Sequence, residues 1–248
     1  ISVGAKPIAI TDNLNFGNPE DPKVMGQFVE CIKGITEACR TLKFPVVSGN
    51  VSFYNQTDGK SILPTPTIGG VGVIDKPKPA KNTTIHNNDL IYLVGSNDNN
   101  ITPLSLLNET NREPVTYANI KVDLTQELAN GKFVLELISR ELVTFVHDVS
   151  DGGIGLALAE MSINNNIGLE TDIDDLLFFF NETQGRYLIA LNKLNEKLLA
   201  NSAINEGITI KKIGKFTGTI LKFGKKNICL SEIKNSYLNK LEDIFERN

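Results

Sequence analysis

Two hydrophobic periods alternate along the chain, and they predict its elements before any other property is considered. Pro7 to Thr11 reads as a short buried strand, followed by a loop from Asp12 to Asp21 rich in Asn, Gly and Pro. Met25, Phe28, Ile32, Ile35, Cys39 and Leu42 then recur at steps of three and four, which predicts a helix whose apolar stripe packs against a sheet. Asp21 and Pro22 mark its start, since Asp can accept from free backbone donors and Pro suits the first turn. Phe44 to Val47 reads as a second strand ending in a turn at Ser48-Gly49-Asn50, and Tyr54 to Gly59 as a further turn. Thr67 to Ile74 reads as a strand left bare by Gly69, Gly70 and Gly72, which suits a close-packed neighbour or a tight strand crossing.

The stretch from Lys76 to Asn88 has the composition of a linker and sets a domain boundary. We therefore expect a first domain over 1–77, a linker over 78–88 and a second domain over 89–248. In the second, Asp89 to Val94, Val143 to Asp148 and Arg186 to Leu191 read as strands. Leu124 to Leu142, Gly153 to Asn164 and Lys193 to Glu206 read as helices. Thr209 to Leu230 reads as short strands with a turn at Lys225-Lys226, and Ser231 to Glu246 as a closing amphipathic helix. Strands alternating with helices, without an internal repeat, imply an α+β architecture, sandwich-like in the α/β sense.

Composition narrows the function classes. With 248 residues, 41% hydrophobic and 22% charged, the chain is long enough for one large or two ordinary domains. No apolar run approaches the roughly 20 residues of a membrane helix, and no signal-peptide pattern opens the chain, so a cytoplasmic protein is expected. Ile1 stands where a start methionine would, which suggests a trimmed polypeptide. Three cysteines do not make a disulfide framework; Cys31 and Cys39, on one helix, lie about 12 Å apart by helical rise. Two histidines, His86 and His147, show no zinc-like spacing. A net charge of −4, without a basic stripe, gives no support for nucleic-acid binding.

Four constellations could carry chemistry. In Thr11 to Glu20, Asp12 can accept hydrogen bonds from a ribose or base or hold a divalent cation, and it can equally stabilise an Asx turn. In Ser48 to Ser52, Gly49 lets backbone N–H groups approach phosphate, Asn50 offers an amide oxygen to magnesium and Ser52 a hydroxyl to substrate; a β-turn or bulge explains the same residues. In His147 to Gly153, Gly152 and Gly153 can expose amides at a helix N-terminus as an anion site. His147 and Asp148 point to opposite faces of an extended strand, which weakens an acid/base pairing. In Glu182 to Tyr187, Arg186 can meet phosphate bidentately or make a surface salt bridge. No Walker loop or hydrolase nucleophile motif is present. The residues alone reach a nucleotide or phosphate binder.

Taken together, TDNLNFGNPEDP at 11–22, PVVSGNVSFYNQTDG at 45–59, PTPTIGGVGVI at 64–74 and HDVSDGGIGLALAEM at 147–161 resemble the second half of the synthetase subunit in the formylglycinamidine ribonucleotide synthase (phosphoribosylformylglycinamidine synthase) family. That resemblance implies the end of an aminoimidazole ribonucleotide synthetase-like N-terminal domain followed by its α/β C-terminal domain. It implies an ATP-dependent ligase of purine biosynthesis that converts formylglycinamide ribonucleotide and glutamine-derived ammonia to the amidine. By motif, Asp12 and Gly49 would contact ATP, Asn50 would ligate Mg2+ and Ser52 would touch the ribonucleotide. No catalytic base falls in this chain, so it is expected to be inactive without the N-terminal half of the subunit. A glutaminase subunit and a small accessory subunit are the further partners implied.

Where the family carries a glycine-rich phosphate loop after Leu90 to Gly95, this chain has Ser96-Asn97-Asp98-Asn99-Asn100-Ile101-Thr102. The departure weakens a second nucleotide site near His147 and Asp148. Two other readings stand beside the leading one: a non-catalytic, nucleotide-holding pseudo-dimer half with a structural role, and another superfamily member such as aminoimidazole ribonucleotide synthetase or a selenophosphate or thiamine-phosphate kinase. The Asn-Leu-Asn-Phe-Gly-Asn-Pro-Glu loop argues against the last.

Overall fold

The computed structural model describes residues 1–74, 84–97, 105–111 and 122–245. The chain separates into two compact units, dividing between Pro77 and Lys78.

The first unit is built from β1 (Lys6–Asn15), α1 (Pro22–Leu42), β2 (Val46–Ser52), β3 (Gln56–Thr57), β4 (Lys60–Ser61) and β5 (Thr65–Val73). Helix α1 starts where the sequence predicts, with the Asp21 carboxylate accepting from the Lys23 amide at 2.9 Å. Strand β1 is central, parallel to β2 and antiparallel to β5. Leu14 of β1 and Phe16 just beyond it meet Val24 of α1 in a small core. Phe28 closes it with edge-on ring contacts to Phe16 at 5.2 Å and Phe53 at 5.1 Å. The predicted turn after Tyr54 is a hairpin, β3 to β4, whose tip residues Asp58 and Gly59 both have positive φ. Much of the sheet is uncovered within this unit: every position of β5 is exposed, as are Val46, Val47 and Val51 of β2.

The second unit contains β6 (Leu90–Val94), α2 (Leu106–Asn111), α3 (Leu124–Ser139), β7 (Phe145–Asp148), α4 (Gly153–Asn165), β8 (Leu169–Thr171), α5 (Leu176–Phe179), β9 (Tyr187–Leu191), α6 (Glu196–Glu206), β10 (Ile210–Phe216), β11 (Ile220–Phe223), β12 (Lys226–Cys229) and α7 (Leu230–Phe245). Among the described residues its sheet runs β12-β11-β8-β10-β6-β9-β7, antiparallel except where β8 meets β11. Strands β6 and β9 are buried at every position, the mark of a sheet covered on both faces. On one face Ile91, Leu93, Leu188 and Ala190 pack with Ile154, Leu158 and Met161 of α4. On the other, Tyr92 donates to Glu196 of α6 at 2.7 Å. The predicted linker falls partly on residues 75–83, outside the described residues.

Candidate functional site

The segment Asp12 to Asn15, expected as a loop, continues strand β1, and Ser48 to Asn50, expected as a turn, continues β2, which runs to Ser52. Asn, Asp and Ser are poor strand formers, yet β1 is paired on both sides through Asn15, and ladder pairing overrides weak local preference. The two polar segments lie side by side in register: Thr11 opposite Ser48, Asp12 opposite Gly49, Asn13 opposite Asn50 and Asn15 opposite Ser52.

Strand alternation then sorts their side chains. Thr11, Asn13 and Asn15 share a face with Ser48, Asn50 and Ser52. The Ser48 hydroxyl donates to Thr11 at 2.9 Å and the Asn50 amide to Asn13 Oδ1 at 3.4 Å. Asp12 lies on the opposite face, with Leu14. Its carboxylate occupies the space over Gly49 that a side chain there would fill. Asp12 and Gly49 are therefore brought together, as are Asn50 and Ser52, but the two pairs sit on opposite faces of the sheet.

The free edge of β2 joins these faces. The Phe16 amide donates to the Ser52 carbonyl at 2.9 Å, so the backbone of Ser52, and by alternation of Asn50 and Ser48, points toward β1. The N–H and C=O of Gly49 then point outward, along an edge with no strand beyond it among the described residues. An anionic group crossing that edge meets the Gly49 amide, with Asp12 on one side and Asn50 on the other.

The Asn face offers one hard oxygen of the kind a divalent cation takes. With its Nδ2 donating to Asn13, Asn50 keeps Oδ1 as a hard neutral oxygen. No group of three or more His, Cys, Asp or Glu suited to a metal exists among the described residues. A magnesium ion held here would draw its compensating negative charge mainly from a bound ligand. Ser52 is less free than its sequence suggests: its hydroxyl exchanges hydrogen bonds with Asn55, whose amide also holds the Phe16 and Ser52 carbonyls at 2.9 and 3.0 Å. Sequence reasoning passed over Asn13 and Asn55, although the alternation in Thr11-Asp12-Asn13 and Ser48-Gly49-Asn50 carried the signal for one polar strand face.

In the second unit the anion site expected at Gly152 and Gly153 is filled by the protein itself. Glu182 accepts from the Gly152 amide at 2.8 Å and the Leu106 amide at 2.9 Å, and Gly153 donates to Ser150. Arg186 does not lie at the surface. It is buried, and its guanidinium donates to the carbonyls of Thr183 and Asn181 and to the Asn181 side chain, folding the 181–183 segment. His147 faces Glu160 at 3.3 Å through Nε2, while its Nδ1 lies 2.7 Å from the Asp148 carbonyl. Burial, and then the charges of Glu127 and Asp148, hold the Tyr187 phenol protonated above its ordinary range. Of the departing segment Ser96 to Thr102, residues 98–102 lie outside the described residues.

Comparison with known proteins shows the family. A profile of the AIR synthase related protein N-terminal domain matches residues 1–74, and one of the AIR synthase related protein C-terminal domain matches residues 87–223. The chain belongs to the AIR synthase related proteins. Within that family it is 42% identical over 236 residues to the phosphoribosylformylglycinamidine synthase subunit PurL of Roseobacter denitrificans, covering 95% of this chain and 32% of that protein. It is 45% identical over 224 residues to the PurL subunit of Azorhizobium caulinodans, covering 88% of this chain and 30% of that protein. The chain thus spans about a third of the length of the curated relatives it matches.

Solved structures agree on the fold. Thermotoga maritima PurL complexed with FGAR superposes with a TM-score of 0.71 at 16% identity, over 94% of this chain and 40% of that one. A HypE–HypF complex superposes with a TM-score of 0.65 at 13% identity, over 92% of this chain and 78% of that one. The family match ends at residue 223, so β12 and α7 lie beyond it.

Proposed function

We propose that this chain supplies ATP, Mg2+ and substrate contacts to an ATP-dependent carbon–nitrogen ligase of de novo purine biosynthesis, one that makes formylglycinamidine ribonucleotide. In this reaction ATP phosphorylates the amide oxygen of formylglycinamide ribonucleotide, and ammonia from glutamine then displaces phosphate. The products are the amidine, ADP and phosphate. Asp12 and the outward backbone of Gly49 contact the nucleotide, Asn50 offers Oδ1 to Mg2+, and Ser52 touches the ribonucleotide. The bound ion would neutralise phosphate charge as the phosphoryl group moves.

The observation that carries this reading is the register of Asp12 with Gly49 and of Asn13 with Asn50, which sets a carboxylate, a free backbone edge and an amide oxygen within one strand pair. The likeness to PurL subunits at 42 to 45% identity supports the reaction class, and Thermotoga maritima PurL complexes with ATP and with FGAR support the ligands.

The first unit is read as the end of a second synthetase-like N-terminal domain, and 89–248 as the C-terminal domain that follows it. The exposed apolar positions of β2 and β5 suit a surface completed by the N-terminal half of the same subunit. A glutaminase subunit and a small accessory subunit complete the assembly, in the cytoplasm. No catalytic base is assigned to this chain. Asn50→Ala in the full-length subunit tests the reading: amidine formation should need more Mg2+ and slow by at least about tenfold.

A further inference from the structure

The second unit holds a cavity of about 190 Å³ that opens to the surface between α4, α5 and the β11–β12–α7 segment. Its walls are apolar: Gly155 and Ala159 leave room on α4, Phe179 and Phe223 stack edge-on at 4.9 Å, and Ile228 and Ile233 close the far side. Protein interiors leave few voids larger than water, and an apolar void without polar partners holds water poorly. A space this size, lined by Phe, Leu and Ile, suits one aromatic ring or one branched aliphatic side chain.

The mouth is polar and carries both signs of charge. Asp174 and Lys226 line it, and among the described residues neither side chain forms a hydrogen bond or an ion pair. Asp175 is already used, accepting from the Leu177 and Phe178 amides at the start of α5. The Asp174 side chain packs against Gly224 in the β11–β12 turn, two residues before Lys226, so acid and base both border one opening. Lys226, Ile228 and Ile233 all belong to the segment beyond the family match.

We propose that this cavity is a binding site for a hydrophobic α-amino acid. Its side chain fills the apolar space, Asp174 accepts from its ammonium and Lys226 donates to its carboxylate. The site is separate from the Asp12 and Asn50 strand pair and does not depend on the reaction proposed for it.

L-Phenylalanine is the probe, titrated into the whole chain and followed by NMR. The expected result is saturable shifting of the Phe179 and Phe223 ring signals. Phenethylamine, which lacks the carboxylate, and 3-phenylpropionate, which lacks the ammonium, should each bind about tenfold more weakly, one charged contact being lost. Asp174→Asn and Lys226→Gln lie at the surface and should weaken binding by a similar factor with an unchanged melting temperature. Ala159→Met, which fills the cavity, should abolish it. No saturable binding by the folded chain, equal binding of the three probes, or binding undiminished in the two surface variants would each overturn the proposal.

Discussion

Gly49 has no side chain because the Asp12 carboxylate stands where one would lie, and each therefore limits the other. A methyl group at Gly49 overlaps that carboxylate, but Asp12 is partly exposed and can rotate away. Gly49→Ala should then cost under about 1 kcal/mol of stability while raising the KM for ATP in the full-length subunit by about tenfold. In Gly49→Ala combined with Asp12→Gly the stability cost should vanish, which a double-mutant cycle by urea unfolding measures. Arg186 behaves oppositely. Its guanidinium is buried and committed to backbone carbonyls, so Arg186→Met should destabilise the second unit by about 3 kcal/mol. From sequence the pairing of Asp12 with Gly49 was legible only as two motifs that belong together. The burial of Arg186 was not legible, because a charged residue beside Glu182 and Gln184 looks like surface and nothing local reveals the carbonyls turned inward to meet it.

At the scale of elements, helix α1 was readable to its first residue, since a capping Asp, a Pro and a three-and-four spacing all act locally. Strands β1 and β2 were read too short because their polar ends are held by neighbours distant in the chain. The N-terminus of α4 shows the same lesson. Its glycines suggested an open anion site, but the Gly152 amide is taken by Glu182, thirty residues later in the chain. Glu182→Ala should destabilise the chain by about 1 kcal/mol, and millimolar sulfate should restore part of that loss in the variant while leaving the parent melting temperature unmoved. Glu127, in the first turn of α3, has its carboxyl pushed up by burial. A raised folded pKa means that its contribution is favourable below the ordinary glutamate range of about 4.3 and is lost as pH rises through the folded value. Glu127→Gln should therefore gain stability at pH 7 relative to the parent, and the gain should disappear near pH 4; thermal melts across that interval measure it.

Across the whole molecule, the two units differ in how completely they enclose their sheets. The second buries β6 and β9 fully between helices, whereas the first leaves β5 and most of β2 exposed, with the polar strand face and the free β2 edge among that surface. Among the described residues such an edge and face have chemistry to offer but no walls, in keeping with the proposal that other parts of a longer subunit complete the site. The central claim is that the Asp12–Gly49 and Asn13–Asn50 register provides the nucleotide and metal side of that site. The most direct test is the Mg2+ dependence of amidine formation by the full-length subunit carrying Asn50→Ala, at saturating ATP and formylglycinamide ribonucleotide. A rate at least about tenfold lower with a shifted Mg2+ requirement is predicted; an unchanged rate and an unchanged Mg2+ curve would contradict it.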